Sequence, residues 1–166
     1  MRNRYLLFSS VAVSFIVIDQ LVKLWARHSL DQYESLALPW PGIFEIKLTF
    51  NQGIAFGFLQ GKGLLLAPIA LIIAGATTYH IVKHPKETKW NTFGYGLLAA
   101  GAIGNLIDRL AFQRVTDLFW FRYINFPVFN VADSCITVAT IMLIIGWWFE
   151  TNQKKAETET HPVQAK

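Results

Sequence analysis

The sequence predicts an all-α integral membrane protein with four transmembrane helices and a small extracytoplasmic amphipathic β element. Three observations lead there. Of 166 residues, 53% are hydrophobic and only 16% charged, against roughly 25% charged in soluble domains. The charges are gathered between long apolar runs rather than scattered. Four of those runs approach the ~20 residues that a helix needs to cross about 30 Å of hydrocarbon. At this length one domain is expected: residues 1–150 are expected to form a single membrane-embedded unit, and residues 151–166 a disordered cytoplasmic tail.

The first helix is expected over about residues 5–26. It is uncharged from Tyr5 to Ile18 and then carries Asp19 and Lys23. Arg2 and Arg4 ahead of an apolar stretch also fit a secretory signal peptide. No A-x-A site follows, however, and Asp19-Gln20-Leu21-Val22-Lys23 continues the helical pattern, so an uncleaved helix is expected. The second helix, about 63–82, lacks Asp, Glu, Lys and Arg throughout. The third, about 90–110, is free of them from Trp90 to Ile107. Its Gly94, Gly96, Gly101 and Gly104 suit close helix packing better than phosphate binding. The fourth, about 128–149, contains Asp133 and is then uncharged from Ser134 to Phe149.

Arg2 and Arg4, the trio Lys83, Lys86 and Lys89, and the pair Lys154 and Lys155 place both termini and the connection between helices two and three in the cytoplasm. The other side carries Arg27, Lys47, Lys62, Arg114 and Arg122, so local density decides the orientation. Trp147, Trp148 and Phe149 fit an interfacial belt. Between helices one and two, Phe44, Ile46, Leu48 and Phe50 alternate with Glu45, Lys47 and Thr49, which is strand periodicity. An outer β element over about 42–58 follows, resting on the membrane boundary. The outer connection at about 110–127 suits the same interface.

The net charge of +4 comes with no dense basic stripe, so nucleic acid is not an expected partner. One cysteine, Cys135, excludes an internal disulfide framework, and no Cys/His cluster offers a zinc site. His80 and His84 lie at the inner end and His161 in the tail, leaving only His28 on the outer side and no histidine partner for Cys135. Carboxylates, amides and a guanidinium remain for chemistry, with no cofactor and no metal required.

Those groups converge. Asp19, Lys23, Asn51, Asn105, Asp108, Arg109, Asp117, Asn130 and Asp133 all fall on the outer side, and Thr137 and Thr140 continue the stripe of Asp133. Ionisable groups in or beside a bilayer are costly and mark functional sites. Each also has a structural reading. Asp19 with Lys23 makes an internal ion pair, Asp108 with Arg109 another; Asn130 starts a helix, and Asp117 is locally an ordinary loop carboxylate. Asp133, inside an apolar segment, is harder to explain that way. Two close carboxylates share a proton near neutral pH; one then activates water while the other polarises a carbonyl. A proton- or ion-coupled carrier and a non-catalytic assembly partner are the rival readings. Clustering of the ionisable groups at one face disfavours a transport path.

The blocks Asp19-Gln-x-x-Lys23, Asn51-x-Gly53-x-Ala-Phe56, Gly104-Asn-Leu-Ile-Asp-Arg109, Val115-Thr-Asp117 and Phe129-Asn-Val-Ala-Asp133-Ser together resemble the lipoprotein signal peptidase (signal peptidase II) family, in order and spacing. The resemblance implies a bacterial inner-membrane aspartyl endopeptidase. It would cleave prolipoproteins before a diacylglyceryl-modified cysteine, with Asp117 and Asp133 as the catalytic dyad. Asp19, Asn51, Asn105, Arg109 and Asn130 fall on the family's polar positions and, with Lys23 and Gly53, would shape the site or bind substrate, with Asp108 as a structural partner of Arg109. Diacylglyceryl-prolipoproteins, membrane lipids and globomycin-type inhibitors are the implied partners. Gln113 stands where the family commonly has glycine, Thr116 where it has an aliphatic residue, and Ile54 where a small residue is frequent.

Overall fold

The computed structural model describes residues 2–32, 34–53 and 63–160. Four α-helices and three strands follow in the order α1 (Arg2–Ser29), β1 (Ser35–Trp40), β2 (Phe44–Asn51), α2 (Ala67–Lys83), α3 (Lys89–Phe112), β3 (Val115–Trp120) and α4 (Val131–Thr160), with a 3₁₀ turn, Gly63–Leu66, ahead of α2.

Each helix boundary has a local cause. Pro68 lies in the first turn of α2, where its missing N–H leaves no intrahelical bond unmade. Thr88 caps α3 by accepting from Asn91 N at 3.1 Å. Gln113 ends α3 in the left-handed region at φ 57°, its N–H bonded to Arg109 O. That conformation suits glycine best. α4 starts at Val131, later than expected, because Asn130 acts as its cap. It also runs on to Thr160, so most of the expected disordered tail is helical.

α3 is the central helix. A Cβ on Gly96 would lie 2.9 Å from Val11 of α1, one on Gly101 would collide with Ala132 O of α4, and one on Gly104 would lie 2.7 Å from Asp19 Oδ2. The glycines therefore let three helices meet, as expected. Val11, Leu97, Cys135 and Ala139 form the core between α1, α3 and α4; Cys135 is a buried free thiol. Ala67, Ala70, Ala102 and Leu106 join α2 to α3.

Among the described residues three helices are long and apolar enough to cross a membrane: Asn3–Ser29, Gly63–Lys83 and Val131–Gln153. Large apolar side chains such as Leu6, Ile72 and Ile141 point outward from them, as lipid-facing positions require. α3 is not among the three. Its glycines and the buried Asn91, Thr92 and Asn105 dilute its hydropathy because it faces protein on most sides.

The strands form an antiparallel sheet in the order β1-β2-β3. Only β2 was foreshadowed by periodicity. β1 is exposed throughout; its Leu36, Leu38 and Trp40 alternate with small Ser35, Ala37 and Pro39 rather than with charged residues, a weaker signal that was missed, while β3 lies where an interfacial connection was expected. Residues 54–58 of the expected β element, with Ile54 and Phe56, lie outside the described residues. Glu45, on the expected polar face of β2, is fully buried: it accepts from Gly42 N and Arg122 Nη1, both at 2.8 Å. Ala26, Leu48 and Leu118 pack the sheet onto the end of α1. The sheet thus covers the bundle end that holds the C-termini of α1 and α3 and the N-termini of α2 and α4. At the opposite end, Arg4 donates to His84 O, and Asn91 Nδ2 bridges Glu87 and Glu150 at 2.8 Å each.

Candidate active site

Asp133 is placed by the start of α4. Its backbone N–H donates to Asn130 Oδ1 at 2.9 Å, while Asn130 N–H donates to Asp133 Oδ2 at 3.2 Å. This reciprocal pair is a capping box: Asn130 starts the helix as expected, and the part Asp133 plays in the cap was not foreseen. Asp117 lies in β3 opposite Thr49 of β2. Two side-chain amides link the carboxylates: Asn130 Nδ2 donates to Asp117 Oδ1 at 2.6 Å and to Asn105 Oδ1 at 3.1 Å. Asn105 Nδ2 in turn donates to Asp133 Oδ1 at 2.7 Å. Asn51 Nδ2 reaches Asp117 Oδ2 at 3.2 Å, and its Oδ1 accepts from Gly53 N.

Behind these amides lies a charged layer. Lys23, fully buried, donates to Asn105 Oδ1 at 3.0 Å and pairs with Asp19 at 2.9 Å and Asp108 at 3.5 Å. Asp19 Oδ1 also accepts from Ala132 N at 2.9 Å, fastening α1 to the first turn of α4. Because Lys23 Nζ and the Asp133 N–H can only donate, the orientations of Asn105 and Asn130 are determined, and each Nδ2 must face a carboxylate. The expected pairing of Asp108 with Arg109 does not form. Asp108 instead faces Lys23 and Arg27, and its Oδ2 accepts from Thr116 N at 2.8 Å. Residues 108 and 109 are adjacent on a helix and point in different directions.

Asp117, Asp133, Asn51, Gly53, Asn105 and Arg109 line a cavity of about 680 Å³. Asp19, Lys23, Asp108 and Asn130 stand behind its wall. The rest of the lining is largely apolar, with Phe121, Ile124, Phe126 and Phe129 from the 121–129 segment and Ile136 and Val138 from α4. Phe121 and Phe129 stack at 5.6 Å. These aromatics were missed as site residues because no local pattern relates them to Asp117. Thr137 lines the cavity, but its hydroxyl donates to Asp133 O, and that of Thr140 to Ile136 O. Both serve their own helix.

Burial, reinforced by the nearby Asp133 carboxylate, pushes Asp117 up to about 8 against the opposing pull of Asn130, Asn51 and Lys23. A carboxyl that keeps its proton at neutral pH beside a second carboxylate can donate to a carbonyl oxygen while its neighbour takes a proton from water. Among the described residues, no group of three His, Cys, Asp or Glu side chains is arranged to hold a metal ion.

Residues 11–149 match the family described as signal peptidase (SPase) II. Lipoprotein signal peptidase of Gloeobacter violaceus is 40% identical over 139 residues, covering 84% of this chain and 80% of that protein. The Synechocystis lipoprotein signal peptidase is 35% identical over 151 residues, covering 91% and 93%. A bacterial membrane enzyme solved by the in meso method at 2.3 Å superposes with a TM-score of 0.82 at 28% identity, covering 100% of this chain and 96% of that one. A second bacterial membrane enzyme, at 1.9 Å, gives 0.76 at 30% identity over 89% and 93%. Matched over most of its length in both sequence and fold, the chain belongs to the signal peptidase II family.

Proposed function

We propose that this chain is an aspartyl endopeptidase whose dyad is Asp117 with Asp133, cutting prolipoproteins just before the diacylglyceryl-modified cysteine. Family membership makes it a membrane protease that removes signal peptides from prolipoproteins. The observation that carries the catalytic type is the pair of carboxylates joined through Asn130 at the base of an apolar cavity.

The dyad holds one proton between its two carboxyls and acts as a unit. Its ionised oxygen takes a proton from water, and the hydroxide adds to the scissile carbonyl carbon as the protonated carboxyl donates to the carbonyl oxygen. Collapse of the tetrahedral intermediate breaks the C–N bond, and a proton passes to the departing cysteine amine. Arg109 lines the cavity with a buried Nε that has no partner among the described residues, and it offers N–H donors to the substrate backbone. The aromatic and aliphatic wall takes the apolar signal segment and acyl chains. Positioning by that remote binding energy accelerates the step.

α3 is a fourth crossing helix, shielded from lipid by its neighbours, so that residues 1–150 form one membrane domain with both termini cytoplasmic. The sheet then lies on the outer surface of the inner membrane. Exposed Leu36, Leu38, Trp40 and Ile43 on the β1–β2 hairpin suit contact with lipid. Globomycin, occupying the same cavity, should compete with substrate.

Purified wild type, Asp117→Asn and Asp133→Asn proteins given a diacylglyceryl-modified prolipoprotein test the reading by gel shift. Wild type should release the signal peptide and both folded variants should fail. Full cleavage by either variant would remove that aspartate from the dyad.

A further inference from the structure

Asp117 is carried by a strand whose ladder is interrupted beside it. β3 pairs Trp120 with Glu45 and Phe119 with Ile46, but the register then shifts so that Asp117 opposes Thr49 and Thr116 opposes Phe50. The shift leaves the ladder locally disrupted next to Asp117. The other edge of β3 is held from Leu118 onward, where Leu118 N and Phe119 N both donate to Phe129 O. Thr116 lies outside that clamp, and its backbone N–H goes instead to Asp108 Oδ2 at 2.8 Å.

Arg27, in the last turn of α1, completes this attachment. Its Nη1 donates to Thr116 Oγ1 at 2.9 Å and lies 3.4 Å from Asp108 Oδ1, with the guanidinium 4.6 Å over the Phe112 ring. The side chain is only 18% exposed. Lys23 is shared between Asp19 at 2.9 Å and Asp108 at 3.5 Å, so Arg27 supplies the second cation for these two carboxylates, and a lysine at residue 27 would keep that part of its role. What Arg27 adds beyond charge is the bond to the Thr116 hydroxyl. A guanidinium laid flat on the ring keeps Nη1 directed at both oxygens, an orientation that a flexible lysine stem holds less firmly.

We propose that Arg27 is a positioning residue for Asp117, acting through the Thr116 hydroxyl and Asp108 to hold the start of β3 at the depth the reaction requires. It does not line the cavity and touches no substrate. The proposal rests on Asp117 belonging to the dyad. In this chain Arg27 and Thr116 work as a pair: a hydroxyl at residue 116 is useful because an arginine is placed to donate to it.

The test uses the full chain in detergent with a diacylglyceryl-modified prolipoprotein, measuring kcat, KM and the thermal midpoint of Arg27→Met, Thr116→Val, the double variant and Arg27→Lys. Loss of position lowers kcat by about tenfold with KM unchanged, a fraction of the ~100-fold that a 1 Å misplacement can cost. The double variant should be no slower than Arg27→Met, since both substitutions cut one connection, and Arg27→Lys should fall between. Wild-type kcat in the folded variants, a change in KM alone, or multiplicative effects in the double variant would overturn the proposal. A thermal midpoint that falls while kcat holds would show a purely structural role and overturn it equally. If Arg27→Met does not fold, the isosteric Thr116→Val carries the same kcat and KM outcomes. Asp117→Asn is run alongside. Cleavage by that variant defeats the dyad reading, whereas an inactive Asp117→Asn with unaffected Arg27 variants defeats only the positioning role.

Discussion

Replacing Asp117 with asparagine should make the protein more heat-stable above neutral pH while abolishing cleavage. Burial and Asp133 push the Asp117 carboxyl from 3.8 to about 8. The folded state therefore keeps a proton that the unfolded chain releases, and stability falls as pH climbs through that window before levelling off. At about 1.4 kcal/mol per pH unit, ionising the group in place costs at most ~6 kcal/mol. Joint titration with Asp133 and water in the cavity reduce that figure. Even a third of it, about 2 kcal/mol, moves Tm by about 4–8 °C for a chain of this size. Asparagine cannot ionise. It keeps an Oδ1 for Asn130 and gives up the 3.2 Å Asn51 contact, a cost of about 1 kcal/mol that is the same at every pH. The assay is tryptophan-fluorescence melting of both proteins in detergent at pH 5 and pH 8.5. The difference between them cancels the histidines, which also titrate in this range. Wild type should lose several degrees relative to the variant on going to pH 8.5. Parallel melting curves at the two pH values, or a wild type that gains on the variant at pH 8.5, would refute the reasoning.

Three further outcomes follow from the same geometry. Asn130→Ala removes both the α4 cap and the donor to Asp117 Oδ1; a stability loss of about 1–2 kcal/mol and a kcat reduction far beyond it should appear together in melting and cleavage assays. Lys23→Met leaves Asp19 and Asp108 facing each other without their shared cation, a loss of about 3–5 kcal/mol that should be visible as failure to accumulate in the membrane fraction. Glu45 is held below its ordinary value by Gly42 N–H and then Arg122. Its contribution is present above pH 4.5 and lost as pH falls, so Glu45→Gln should flatten the acid end of the wild-type melting profile. An unchanged acid limb would count against that assignment.

The apolar runs alone determined where the helices lie, because a lipid-facing helix must be apolar all along its length and the signal accumulates over twenty residues. They also carried Asp19, Lys23, Asn105, Asn130 and Asp133 to one end of the bundle, since helix length and alternating direction leave no other arrangement. Gly96, Gly101 and Gly104 likewise declared close packing, although which helix each one touches came from the fold. Tertiary structure decided the rest. β1 alternates large apolar with small residues but lacks the charge contrast of β2, and β3, buried along most of its length, has no alternation, so Asp117 was read as a loop carboxylate. Pairing of Asp108 with Arg27 and Lys23 rather than Arg109 depends on which helix faces lie inward, and adjacency in sequence says nothing about that. Glu45 is buried only because Arg122 and Gly42, far apart in the chain, close over it. Local periodicity records what each segment must bury. Which charges, amides and aromatics end up sharing one cavity is settled by contacts between segments, where no local pattern reaches.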